Sequence, residues 1–350
     1  MLFRSAYQYE MAKDYAAAED TYSKLLDKGA ENKEILLRLI DLNLKLNNPD
    51  RALKLTERGS GSGDFLFNAC SLFLQAGFYT QAKEVLQLLP ESWSQEPKAQ
   101  YFKALIAFHG DNDPARAQEL LQGIPSDSPL FKRSLGLQAR LALKQERPDK
   151  AREILHRAQE SFPEERDFWL LESEILMSRK DYDQAAEVLQ KGLKHVQKSS
   201  DLLFQLGVVA HEQGDKDRAL EFMNRVLEQE PGHASAMNFI GYTLVELGRD
   251  MDRAHKLIRR ALEQEPDNGY FLDSLAWYYY RSGQLEQAWK TIQKAVSKAV
   301  EDPIIWEHYG DIATSLNLNQ EARKGYSKSL ELEPEKPGAI RSKLNTLPSP

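Results

Sequence analysis

Ala234-Ser-Ala-Met-Asn-Phe-Ile-Gly-Tyr-Thr-Leu-Val-Glu-Leu-Gly-Arg249 and Gly269-Tyr-Phe-Leu-Asp-Ser-Leu-Ala-Trp-Tyr-Tyr-Tyr-Arg-Ser-Gly-Gln284 follow one template. Each opens with an apolar helical stretch carrying a small residue at its middle, Gly241 or Ala276, and stops at a glycine, Gly248 or Gly283. A second helical stretch follows, marked by an early alanine (Ala254, Ala288) and a later one (Ala261, Ala295). Self-similarity at a period of about 34 residues is the mark of a stacked helix-turn-helix repeat.

Working outward on the same marks divides the chain into ten units: 1–32, 33–62, 63–97, 98–131, 132–165, 166–199, 200–233, 234–268, 269–302 and 303–336. The mid-helix mark is filled by Ala6, Ile40, Cys70, Leu105, Ala139, Ser173, Gly207 and Gly310 in the remaining units. The second-helix mark is Ala18, Ala52, Ala82, Ala117, Ala151, Ala185, Ala219 and Ala322. Small residues belong there because two helices of one unit cross closely. Pro163, Pro231, Pro266 and Pro334 end units because proline cannot continue a helix.

The expected fold is therefore all-α, a right-handed superhelical solenoid in which stacking buries a continuous core. The expected organisation is an N-terminal part, 1–62, ending in the linker-like Gly59-Ser60-Gly61-Ser62-Gly63, then a main superhelix, 63–336, and a tail, 337–350. In the tail, Ile340 and Leu344 at helical spacing are expected to cap the last apolar face, and the closing Pro-Ser-Pro to be disordered.

At these residues the chain resembles the tetratricopeptide repeat family over essentially its full length. The resemblance is strongest from Asp201 to Pro334 and weaker between 33 and 131, where Asn43, Asn47 and Asn112 replace preferred aromatic or glycine residues. The strings Asn-Phe-Ile-Gly-Tyr, Leu-Asp-Ser-Leu-Ala-Trp and Glu-His-Tyr-Gly-Asp are similar to those of repeat-rich lipoproteins and periplasmic proteins of Gram-negative bacteria. That likeness implies a periplasmic or outer-membrane-associated location, with a leader and lipid anchor in the precursor, over a cytoplasmic one. Met1-Leu2-Phe3-Arg4 itself shows no basic head, apolar core or cleavage site.

Composition excludes several function classes. Lys plus Arg is 46 and Asp plus Glu 53, a net charge of -7 with both signs interspersed, which gives no nucleic-acid footprint. A single cysteine, Cys70, forbids an intrachain disulfide framework or a multi-cysteine zinc site. No apolar run approaches the ~18 residues of a membrane span. His109, His156, His195, His211, His233, His255 and His308 are scattered without metal-ligand spacing and are read as exposed or helix-end residues. Neither Gly-x-x-x-x-Gly-Lys nor Gly-x-Gly-x-x-Gly occurs, so no phosphate loop is present. The expectation is no catalytic residue, no metal and no cofactor.

Binding has a better basis, because a solenoid of paired helices presents a long wall. Advancing 100° per residue puts the fourth, seventh, eighth and eleventh positions of a unit on its packed face, occupied by Trp169, Leu203 and Trp306 among others. By resemblance, the second, fifth, ninth and twelfth line the groove. In the best-fitting units these are Asp201, Phe204, Val208 and His211; Ser235, Asn238, Tyr242 and Val245; Tyr270, Asp273, Trp277 and Tyr280; and Ile304, Glu307, Asp311 and Thr314. The candidate partner groove is Phe204, His211, Asn238, Tyr242, Tyr270, Asp273, Trp277, Tyr280, Glu307 and Asp311. The bland reading of its aromatics is packing against the neighbouring unit.

The function read from this is a non-catalytic scaffold or adaptor that binds a protein or peptide segment, with the acidic positions expected to favour partners bearing Lys or Arg. The family's clamp for chaperone carboxylates is disfavoured, since Asp273 and Glu307 stand where Lys or Arg would be needed. The alternatives are a regulatory or recruiting subunit of a bacterial envelope enzyme complex (cell-wall, exopolysaccharide or secretion), and an enzyme with an unrecognised site.

Overall fold

A computed structural model describes residues 2–28 and 32–348. Its regular elements are all α-helices, with no strand among the described residues. The chain divides into two compact units, Met1–Phe162 and Pro163–Pro350.

The first unit pairs α1 (Leu2–Met11) with α2 (Tyr15–Asp27), α3 (Lys33–Lys45) with α4 (Pro49–Glu57), and α5 (Gly63–Gln75) with α6 (Tyr79–Gln87). A single extra turn, α7 (Glu91–Ser94), precedes the pairs α8 (Pro97–His109) with α9 (Pro114–Gln122) and α10 (Phe131–Lys144) with α11 (Pro148–Ser161). The second unit pairs α12 (Arg166–Ser178) with α13 (Tyr182–His195), α14 (Ser200–Glu212) with α15 (Lys216–Gln229), and α16 (Ala234–Leu247) with α17 (Met251–Gln264). It continues with α18 (Gly269–Arg281) and α19 (Leu285–Lys298), then α20 (Pro303–Ser315) and α21 (Asn319–Glu331), and ends in α22 (Pro337–Thr346).

The pairs cross at the small residues. A Cβ on Gly207 would lie 2.6 Å from Met223 Cε, and one on Gly241 would lie 2.5 Å from Ile258 Cγ1, both closer than real Cβ contacts run. Ala139, Ala151, Ala219, Ala254, Ala288 and Ala322 are fully buried at the same level of their units. Trp169 and Trp306 fill the packing position and donate their indole N–H to the carbonyls of Pro163 and Val300, each at 2.9 Å. A buried indole thus keeps its polar edge satisfied.

The turn inside a pair needs one residue in the left-handed region. Gly214 and Gly283 supply it at φ 82° and 74°. Asn47 and Asn112, which depart from the repeat pattern in sequence, take the same conformation at φ 59° and 51°. Asparagine tolerates that region better than most residues, so the substitution is local. Asn43 is buried instead, its amide donating to Leu39 O at 2.8 Å.

The Gly59–Gly63 stretch forms a packed turn into α5, with Ser62 accepting from Phe65 N. A Cβ on Gly59 would lie 2.2 Å from the Phe65 ring, and one on Gly63 would lie 2.3 Å from Trp93, so two of its glycines are seats for aromatic rings. At the other end, Ile340 and Leu347 are buried with Ala313, Ala322 and Tyr326 beneath α22, while Leu344 is partly buried against them. Ser349 and Pro350 of the closing Pro-Ser-Pro lie outside the described residues. Among the described residues no helix is long and apolar enough to cross a membrane.

Cys70 sits at a crossing, with Sγ 3.6 Å from Ala82 O. Burial pushes its thiol up to about 12. The thiolate is the reacting form, so Cys70 should resist an aromatic disulfide reagent near pH 8 in the native protein and react at once in denaturant. Rapid native labelling, followed at the chromophore's absorbance, would contradict this packing.

Candidate functional site

In the unit Pro163–Pro350 the first helices of successive pairs line a trough of about 410 Å³. Its walls include Phe204, Ser235, Asn238, Tyr242, Tyr270, Asp273 and Ile304, all expected in the groove from the family resemblance, together with Phe239, Asn268 and Asp302. Capping fixes the helix starts that carry them. Asn268 accepts from Tyr270 N and Phe271 N at 3.0 and 3.3 Å. Asp302 accepts from Ile304 N and Ile305 N at 2.8 and 3.1 Å. His233 accepts from Ala236 N at 3.2 Å and stacks on Phe204 with ring centroids 5.2 Å apart. These caps satisfy backbone donors that a helix start leaves open.

Two large apolar side chains stand out on the rim, Tyr270 at 58% and Ile304 at 54% exposure. Deeper, Trp277 stacks on Tyr280 at 4.9 Å and on His308 at 4.0 Å, the latter pair with planes 15° apart. The Trp277 indole donates to Glu246 Oε1 at 2.7 Å. Trp277 and Tyr280 therefore serve mainly as packing between neighbouring first helices, and Tyr280 is also near Ser315, whose hydroxyl donates to its oxygen at 3.3 Å.

His308 corrects the reading of scattered, exposed histidines. It is only 6% exposed, and its Nδ1 lies 2.9 and 3.0 Å from the two oxygens of Asp273, itself 6% exposed. Burial pulls the imidazole pKa down, but Asp273, helped by Asp311 and Glu246, outweighs it and holds the group above its ordinary value. Tyr242 lies beside this pair, its ring 6.4 Å from His308. Burial first, then Glu246, Asp273 and Glu307, push its hydroxyl well above the usual range, so it stays neutral and can donate.

Glu307 and Asp311 form the second correction. Both accept from Lys343 of α22, each at 2.7 Å, and Asp311 also accepts from the Tyr326 hydroxyl at 2.8 Å. Burial opposes the Lys343 charge, yet the two carboxylates raise its pKa and keep it protonated. Asp273, Glu307, Asp311 and the capping Asp302 are thus all engaged within the chain. The expectation that an acidic lining would choose a Lys- or Arg-bearing partner therefore falls on carboxylates that already have partners within the chain.

Val245 is the plainest miss of the helical wheel: it is 0% exposed and belongs to the core. His211 lies off the trough, edge-on to Phe239 at 5.4 Å. Thr314 is exposed and donates back to Gly310 O at 2.8 Å. Among the described residues there is no group of three or more side chains placed to hold a metal ion.

Two family models, both described as tetratricopeptide repeat, match the chain: one over 137–201 and 274–339, the other over 10–64 and 176–240. No curated protein matches by sequence. Among solved structures, a tetratricopeptide repeat protein from Parabacteroides merdae is similar with TM-score 0.57 and 14% identity, covering 71% of this chain and 97% of its own. PilW, a widely conserved type IV pilus biogenesis factor, is similar with TM-score 0.51 and 18% identity, covering 61% of this chain and 100% of its own. At such identities the likeness speaks for the fold alone. With two repeat models together matching more than half of its length, and helices paired in succession within each unit, the chain belongs to the tetratricopeptide repeat family.

Proposed function

We propose that this protein is a non-catalytic interaction scaffold whose trough in the unit Pro163–Pro350 receives an extended segment of a partner protein. The observation that carries this is the pairing of exposed Tyr270 and Ile304 on a rim whose helix starts are already capped. Large apolar side chains held at fixed positions contribute binding without a cost of ordering the scaffold. The trough's carboxylates already have hydrogen-bond partners within the chain, so the favoured segment presents aromatic or branched aliphatic side chains without depending on basic ones. Recognition of this kind is set by apolar burial and is weakly screened by salt.

Peptides selected from a random display library on the purified chain provide the test. They should lose about tenfold or more in affinity on Tyr270→Ala/Ile304→Ser, since truncating the anchoring side chains of an interface costs about 2 kcal/mol or more. The melting temperature should hold, because both side chains are exposed. For the wild type, raising salt from about 0.05 to 0.5 M should shift affinity by less than about threefold. Peptides that bind the double variant as well as the wild type would remove the trough from the proposal.

A further inference from the structure

The other unit, Met1–Phe162, holds a larger cavity, of about 530 Å³, at the place where the repeat is interrupted. Its cause lies in the sequence. Helices α6 and α9 each span 9 residues, where α13, α15, α17 and α19 each span 14. Between α6 and α8 the chain also detours through α7. The shortened helices and the detour leave Leu86, Leu89, Ile106, Ala107 and Leu120 around a hollow. The detour is pinned: the Trp93 ring lies against Gly63 and 5.8 Å from Phe67, which in turn is 6.0 Å from Phe102.

The charged lining of this hollow is three cations, Lys83, Lys103 and Arg116, and one carboxylate, Asp111. Two of the cations have carboxylate partners, Lys83 with Asp111 at 3.0 Å and Arg116 with Glu119 at 2.5 Å. Lys103 is different. It is half-buried, and its ammonium donates to the carbonyl of Ser94 at 2.9 Å, which α7 holds in place. No carboxylate among the described residues is paired with it. An ammonium has three N–H donors, so two remain for a ligand, and a partly desolvated cation is stabilised by an anion that hydrogen-bonds to it.

We propose that this cavity binds an amphiphilic monoanion, with a carboxylate on Lys103 and an aliphatic or aromatic tail along Leu86, Leu89, Ile106 and Leu120. The volume falls within the range of small-ligand pockets, which are mostly apolar with a few placed polar groups. One cation without a carboxylate suits one anionic head better than a poly-acidic peptide. The site is independent of the trough and of its partner.

Dodecanoate and dodecanol serve as probes, followed by calorimetry and by displacement of 8-anilinonaphthalene-1-sulfonate. Dodecanoate should bind the full chain saturably at one site and more tightly than dodecanol. Lys103→Gln should weaken dodecanoate about tenfold or more, the usual scale for losing a charge-assisted hydrogen bond, while leaving dodecanol unchanged. Leu120→Asp, which places a carboxylate at the cavity wall, should abolish dodecanoate binding, with thermal melts confirming that both variants fold. No saturable dodecanoate binding to the folded wild type would overturn the proposal. So would wild-type affinity in Lys103→Gln, or binding confined to acidic peptides.

Discussion

Gly325→Leu is expected to destabilise the C-terminal repeats by about 3 kcal/mol or more, at the upper end for overpacked cores. The reason is what lies opposite. A Cβ on Gly325 would sit 2.8 Å from Gly310 N and 2.9 Å from Gly310 Cα, so the obstacle is backbone and no rotamer change relieves it. At Gly207 the obstacle is the end of a flexible side chain, Met223 Cε, and the same change there should cost less. Chemical denaturation of both variants measures the difference. Equal losses would mean that the α20–α21 crossing is not the close contact described.

Asp273→Asn is expected to be comparably damaging, at about 3 kcal/mol, because it strips a buried charge of its partner while keeping the volume. The pH dependence separates this from ordinary core damage. In the wild type the folded pKa of His308 lies above its ordinary 6.5, despite burial, owing to Asp273, Asp311 and Glu246. A group raised on folding contributes stability that is fully present below its unfolded pKa and is lost as pH climbs through the folded value. Without Asp273 the opposing effect of burial gains weight, and protonation then favours unfolding. The stability gap between wild type and variant should be widest near about pH 6 and narrow toward about pH 9. Tyr242, neutral throughout, and Lys343, protonated throughout, do not disturb that window. Denaturation curves at three pH values decide it, and a gap independent of pH would rule out the charged pair.

The repeat was readable because its constraints are local: Gly207, Gly241 and Ala219 are small at a fixed spacing since helices touch there, and the prolines stop units. The trough was partly readable, since helix geometry alone puts Phe204, Asn238, Tyr242 and Tyr270 on one side of their helices. Val245 failed because a wheel drawn on one helix ignores the neighbour that covers it. His308 and Lys343 were invisible for a related reason. Their partners, Asp273 and the Glu307–Asp311 pair, lie one unit earlier in the chain, so linear spacing on any single helix gives no sign of them. The short helix α7 carries no periodic pattern and interrupts the repeat without a motif. Asn268 and Asp302 could have been found, as capping residues directly before helix starts.

Photo-crosslinking in living source cells tests the central claim most directly. With a benzophenone side chain in place of Tyr270 or Ile304, illumination should yield the same discrete adduct from both positions, absent when the group replaces exposed Arg259 on α17. An adduct formed equally from Arg259, or from there alone, would contradict a partner seated in the trough.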